Sequence, residues 1–140
     1  MSCDETTSGM PEVQILLAVY NGGAHLAEQL DSIAAQSHPR WRIVASDDGS
    51  SDNSRAVLAA FGSEHPVTVH DGPRKGAAAN FLSLIGRADR AAWIAFADQD
   101  DIWLPDKLER SLAALDGIPA GTPALFCSRS WIADADGNRL

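Results

Sequence analysis

Two cysteines in 140 residues, Cys3 and Cys127, are too few and too far apart for a disulfide framework or a zinc site. The chain therefore reads as a reduced, cytoplasmic protein. Positive charge is also scarce: 11 Lys and Arg against 19 Asp and Glu leave a net charge of −8, which argues against nucleic acid as a partner. No apolar run approaches the ~18 residues of a membrane-spanning helix, so any membrane association would be peripheral, at the inner face. Residues 1–12 are polar and acidic, without the basic-then-apolar order of a secretory signal, and are expected to form a disordered tail. Several catalytic signatures are missing. There is no G-x-x-x-x-G-K-[ST] loop and no G-x-G-x-x-G after a strand. His25, His38, His65 and His70 lack ligand spacing, and no serine, histidine and acid arrangement suggests a nucleophilic triad.

What is present suits one soluble α/β domain. The length is typical of a single domain, and 45% hydrophobic with 21% charged residues is a globular composition. Val13 to Val19 is apolar except for Gln14, the pattern of a parallel strand buried on both faces. Tyr20-Asn21-Gly22-Gly23 stops it, with Asn21 a candidate cap for a helix whose stripe is Leu26, Leu30, Ile33 and Ala34. Trp41 to Ala45 reads as a second strand, completing a βαβ unit. A helix with Val57, Leu58 and Phe61 follows, with Asp52 or Ser51 as its cap. Next come a short strand at Pro66 to His70 and a helix with Phe81, Leu84 and Ile85. Trp93, Ile94 and Phe96 have the character of a buried strand, and Pro105 sits at a plausible first position of a helix whose stripe is Leu104, Leu108, Leu112 and Leu115. Ala124 to Ser128 reads as a further strand, and Trp131 to Asn138 as the first arm and turn of a hairpin rather than a calcium loop.

Chemistry concentrates where strands end. Asp98, Asp100 and Asp101 put three carboxylates into four residues directly after an apolar run. Like charges crowded this closely repel unless a cation neutralises them, and hard oxygen ligands suit Mg²⁺ or Mn²⁺. The other reading is that these acids only cap the following helix. The second strand also runs into acids, in Ser46-Asp47-Asp48-Gly49-Ser50-Ser51-Asp52. Asp48 is either a turn-former or an acceptor for a nucleobase imide or ribose. Arg74 and Lys75, in a glycine-containing loop before a helix, are either a phosphate contact or a solvated charge pair.

Four segments in order carry a family resemblance: Val19-Tyr20-Asn21, Ser46 to Asp52, Lys75-Gly76 to Asn80-Phe81, and Ala97-Asp98-Gln99-Asp100-Asp101-Ile102-Trp103-Leu104-Pro105-Asp106-Lys107-Leu108. Together they resemble family-two inverting glycosyltransferases of GT-A fold, most closely the rhamnosyltransferase-like branch, over about residues 13–140. The resemblance implies a three-layer α/β/α sheet, mainly parallel and incomplete, with residues 13–140 as the nucleotide-sugar-binding part. It implies that Tyr20 stacks on a pyrimidine, Asp48 bonds its imide, Asp98 lies by the ribose and metal, and Asp100 binds Mg²⁺ or Mn²⁺. Lys75 would face the donor. Ala18 stands where family members often carry a small hydroxyl residue, so one base contact there would be backbone only. The implied donor is a UDP- or dTDP-sugar such as dTDP-rhamnose, and the acceptor a glycan or lipid-linked sugar. The acceptor-side base is expected beyond Leu140. The alternatives are a noncatalytic nucleotide-diphosphate binding module or an inactive truncated copy.

Overall fold

The computed structural model describes residues 9–90 and 93–140. Its elements alternate: β1 (Val13–Val19), α1 (Leu26–Ala34), β2 (Trp41–Asp47), α2 (Ser54–Gly62), β3 (Val67–Asp71), α3 (Ala77–Arg87), β4 (Trp93–Ala97) and α4 (Lys107–Leu115). All strand pairs are parallel, in the order β3-β2-β1-β4. The α/β expectation holds, with helices on both faces. β1 is buried along its whole length because it lies between two strands and under both helical layers. Val13, Ile15, Leu17 and Val19 point to one face, against Leu26, Leu30 and Ile33 of α1, Leu58 of α2 and Leu108 of α4. Leu16 and Ala18 point to the other, against Leu84 and Phe81 of α3. A fully buried leucine contributes about 2 kcal/mol of transfer free energy, so the two-sided burial of β1 makes it the sheet's anchor.

Several local expectations need correction. Trp93, Ile94 and Phe96 are 39%, 41% and 50% exposed rather than buried. Among the described residues β4 pairs only with β1, and α3 packs over β1 and β2, so the outer side of β4 is left uncovered there. Pro105 precedes the helix: Asp106 is the N-cap of α4, and Lys107 starts it. Asn21 does not cap α1, whose N-cap is His25; Asn21 instead adopts φ 49° and its Oδ1 accepts the Ser51 amide at 2.8 Å. Asn53, not Asp52 or Ser51, is the N-cap of α2. Residues 124–128 form no strand, because no segment among the described residues supplies ladder partners, and they stay exposed. The hairpin turn does form, with Ala133 bridged to Arg139 and the Asp134 amide donating to the Asn138 carbonyl at 2.9 Å. Of the segment expected to be a tail, residues 1–8 lie outside the described residues. Pro11 and Glu12 are tied down: the Pro11 carbonyl faces His38 Nε2 at 2.9 Å, and the Glu12 carbonyl accepts the Trp93 amide at 3.0 Å. Among the described residues, no helix is long and apolar enough to cross a membrane.

Candidate functional site

The winding of the chain reverses at β1. Helices α1 and α2 pack on one face as the chain steps from β1 to β2 to β3, whereas α3 covers the other face and delivers β4 to the far side of β1. The loop after β1 therefore leads to α1 on one face and the loop after β3 to α3 on the other, and open α/β sheets bind ligands in the crevice outside the carboxyl ends of the strands at such a switch point. A cavity of about 800 Å³ occupies that crevice. Ala18, Tyr20, Asp48, Lys75, Asp98 and Asp100, all singled out from sequence, line it together with Gly49, Arg74, Asn80 and Gln99. Tyr20 is 57% exposed, so its ring is free to meet a ligand, whereas Ala18 is buried and offers little beyond its backbone.

The acids of the second strand are already occupied. Asp47 is buried; its carboxylate takes the Ser50 hydroxyl and amide, and Arg55 Nε at 2.7 Å. Burial works against its charged form, but the Ser50 hydroxyl and Arg55 outweigh this and hold the carboxyl below the usual range. Arg55 also bonds Asp71 at the end of β3. Asp52 accepts the Ser54 hydroxyl at 2.6 Å and the Gly23 amide at 2.9 Å, and these bonds lower its pKa too. Asp48 takes one backbone N–H on each oxygen, from Arg74 at 2.6 Å and from Gly76 at 2.8 Å. Each carboxylate oxygen keeps a further lone pair, so Asp48 is a turn-former across two loops with acceptor capacity left over. Gly49, at φ 95°, lets the Arg74 side chain lie over the loop, since a Cβ there would come within 3.0 Å of Arg74 Nε. That places a guanidinium on the cavity wall beside Lys75.

The acids after β4 differ. Among the described residues, Asp98, Asp100 and Asp101 accept no hydrogen bond and form no ion pair within contact distance. Burial, reinforced by the charges of Asp98 and Asp100, raises the Asp101 pKa against the pull of Lys107. Their loop is nonetheless firmly held at both ends. Ala97 is buried in β4; Trp103 is 5% exposed, and its backbone amide donates to Ser32 Oγ at 3.0 Å. Gln36 clasps the chain beyond, donating to the Leu104 carbonyl at 2.8 Å and accepting the Leu108 amide at 3.0 Å.

This loop suits a divalent ion in one specific way. Among the described residues, no three His, Cys, Asp or Glu side chains converge to hold a metal by themselves. Mg²⁺ is commonly held by one or two carboxylates completed by substrate phosphates, and two partnerless carboxylates next to a third whose proton is retained more tightly answer that description. The wall contributes one more unfilled group. Asn80 donates to the Ser46 carbonyl at 2.8 Å, but among the described residues its buried Oδ1 has no partner, nor does the Ser46 hydroxyl.

Residues that sequence reasoning missed are mostly amides. Gln99 Oε1 accepts the Tyr20 amide at 2.8 Å while Gln99 Nε2 donates to the Tyr20 carbonyl at 3.0 Å. Nothing in the spacing of these two residues announces the pair. The Ser46 to Asp52 run held a weak signal, because its serines lie within reach of the amides left free after β1: Ser50 Oγ accepts from Asn21 at 2.9 Å.

A parallel sheet with a crevice at its switch point, lined by an acidic loop and a basic loop, is the architecture of a ligand-binding α/β protein. The profile described as "Glycosyl transferase family 2" matches residues 14–126, and the chain belongs to that family. It is 32% identical over 108 residues to a putative teichuronic acid biosynthesis glycosyltransferase, TuaG, of Bacillus subtilis, covering 76% of this chain and 42% of that protein. It is 36% identical over 105 residues to the dTDP-rhamnosyl transferase RfbG of Shigella flexneri, covering 71% of this chain and 36% of that one. The chain thus spans less than half the length of these relatives. Among solved structures, a mannosyltransferase of Pyrobaculum calidifontis in complex with GDP-Man and Mn²⁺ superposes with a TM-score of 0.68 at 22% identity, over 80% of this chain and 34% of that one. TarS of S. aureus in complex with UDP gives 0.64 at 21% identity, over 75% and 32%. These likenesses bear out the GT-A fold.

Proposed function

We infer that the cleft binds a nucleotide-diphosphate sugar and that the chain is the donor-binding part of a glycosyltransferase acting on a glycan or lipid-linked acceptor. The observation that carries this reading is the pairing, in one switch-point cavity, of the partnerless Asp98 and Asp100 with the basic Arg74-Lys75 loop. An anion of high charge needs cations on both sides to sit in so acidic a chain. Arg74 and Lys75 supply one side. A Mg²⁺ or Mn²⁺ ion at Asp98 and Asp100 supplies the other, and when bound it neutralises charge developing on the departing diphosphate. Tyr20 offers its exposed ring to the base, and the spare lone pairs of Asp48 accept from a base imide.

A UDP- or dTDP-sugar is the proposed donor. The relative named as a dTDP-rhamnosyl transferase supports this, and the neighbour that holds GDP-Man sets the competing case. Calorimetry with UDP, dTDP and GDP, each with Mn²⁺ and with EDTA, tests both points. Tighter binding of UDP or dTDP with metal is expected. Equal affinity with EDTA removes the metal bridge, and preference for GDP removes the pyrimidine. The base that takes the acceptor's proton is proposed to lie outside these residues, so donor turnover by the 140-residue chain is expected to be negligible. Robust metal-dependent transfer would place that base within the chain.

A further inference from the structure

The loop Tyr20 to Gly23 is held from two directions. On one side the second-strand loop bonds it, through Ser50 to Asn21, Ser54 to Gly22 and Asp52 to Gly23. On the other side a single residue reaches it: Gln99, 79 positions away, whose amide satisfies both backbone polar groups of Tyr20. Among the described residues no other side chain of the acidic loop bonds this segment. The two bonds form a closed pair, like one rung of a sheet ladder, so the Tyr20 peptide cannot rotate without breaking both. Because the Tyr20 ring is largely exposed, packing does little to orient it, and its backbone sets where it points. Gln99 also stands between Asp98 and Asp100, in an arch whose ends are fixed at Ala97 and Trp103. A displacement of either carboxylate therefore passes into the Gln99 peptide.

We propose that Gln99 is a positioning residue that couples the diphosphate end of the cleft to its base end. The proposal rests on the reading that Tyr20 meets the base and that Asp98 and Asp100 meet the metal diphosphate. When the acidic loop closes on metal and phosphate, Gln99 fixes the Tyr20 platform, and a base on that platform favours the closed acidic loop in return. Gly22 protects the clamp. A Cβ at Gly22 would lie 2.5 Å from Gln99 Oε1 and 2.7 Å from its Cδ, in the space the amide occupies.

The test splits the ligand into halves that share no atoms: uridine, and Mg²⁺ with inorganic pyrophosphate. Calorimetry measures the affinity of each half with and without the other. In the wild-type chain each half is expected to tighten the other about fivefold, the factor being the same in both directions by linkage. In Gln99→Ala the factor is expected to fall to about one. Gly22→Ala, which alters no side chain of the cavity wall, should reproduce this by pushing the Gln99 amide aside. Tyr20 is the chain's only tyrosine, so ¹⁵N-tyrosine labelling gives one amide resonance. Its response to Mg²⁺-pyrophosphate should be present in the wild type and lost in both variants. Coupling that survives in Gln99→Ala, or its absence in a wild type that binds both halves, overturns the proposal and leaves the functional reading standing. A wild type that binds neither UDP with metal nor either half overturns the functional reading and the coupling with it.

Discussion

Two acidic clusters stand at strand ends on either side of β1, one after β2 and one after β4, and they behave as opposites. Asp47, Asp48 and Asp52 are met by serine hydroxyls, an arginine and backbone amides, which hold the Asp47 and Asp52 pKa values down. Asp98, Asp100 and Asp101 have no such partners among the described residues, and the Asp101 pKa is pushed up by burial and by its two neighbours. An acid whose lone pairs are filled from within the chain organises loops. Acids left unfilled on an exposed arch anchored by buried Ala97 and Trp103 crowd like charges together, and a cation from outside relieves that repulsion. Both clusters come from carboxylate-rich runs, so sequence alone does not separate them. The geometry does, with Asp48 standing between the two classes.

The sharpest way to break this contrast is to remove one acid from each cluster and ask which property fails. Asp100→Ala is expected to leave thermal stability unchanged or slightly higher, because it relieves like-charge crowding. It should lower metal-dependent UDP affinity by about a hundredfold, the upper end of what losing even a supporting partner of a metal ligand costs. Calorimetry with Mn²⁺ beside a melting curve reads both. A large loss of stability with intact binding would exchange the roles of the clusters.

Asp47→Ala should do the reverse. It leaves the Ser50 hydroxyl and amide and the Arg55 guanidinium without their shared acceptor, and hydrogen bonds to a charged group are worth about 1.5–3 kcal/mol. A loss of about 2 kcal/mol is expected, given that Arg55 is half exposed and keeps Asp71. For a chain of this size that lowers Tm by about 8 °C. The acid dependence has a definite sign. The folded pKa of Asp47 lies below its unfolded value, so its stabilisation is complete above roughly pH 4 and fades as pH falls through the folded value. The stability gap between the wild type and Asp47→Asn, measured in denaturant, should therefore narrow below about pH 4. A gap that widens in acid would contradict the bonding described for Asp47.

How much of this was legible in the chain depends on the range of the interaction. β1 was readable to the residue, because burial on both faces writes an uninterrupted apolar run. The four loops of the cleft were readable to within two residues, because turn and charge residues mark strand ends, although β2 runs on to Asp47 and β3 to Asp71. The exposure of Ile94 and Phe96 was not, since which strand ends as an edge is a matter of topology rather than of local pattern. The segment 124–128 has strand-like residues but no partner, and strand propensity without a ladder yields no strand. The Gln99 to Tyr20 clamp was invisible for a different reason: one amide meeting a backbone 79 residues away leaves no period and no spacing rule.

Asp48 tests whether one carboxylate can belong to both classes. Asp48→Asn keeps the shape but replaces one acceptor oxygen by an NH₂, which must then face the Arg74 or the Gly76 amide. Uridine affinity is expected to fall by about 1.5 kcal/mol, roughly tenfold, the low end for a lost charge-assisted bond. The amide resonances of Arg74 and Gly76 should move in the absence of ligand. Moved resonances with unchanged uridine affinity would place Asp48 wholly with the loop-formers.

The smallest effect expected is at Asp106, which decides whether the β4 cluster is defined by geometry or by proximity in sequence. Asp106 belongs to the same acidic run, five residues beyond Asp101, yet it sits at the N-cap of α4 with no side-chain cap bond. Its contact is Arg110, one turn along the helix at 3.5 Å, with both side chains well exposed. Exposed pairs at this spacing contribute a few tenths of a kcal/mol and are screened by salt. Asp106 is also absent from the cavity wall, and buried Trp103 separates it in the chain from the arch that carries Asp98 and Asp100. Asp106→Ala is therefore expected to shift Tm by less than about 2 °C and to leave the Mn²⁺ dependence of UDP binding as it is in the wild type. Loss of metal dependence in this variant would mean that acidic charge anywhere near residues 98–106 attracts the ion through a diffuse field. The partnerless geometry of Asp98 and Asp100 would then no longer be what distinguishes the two clusters.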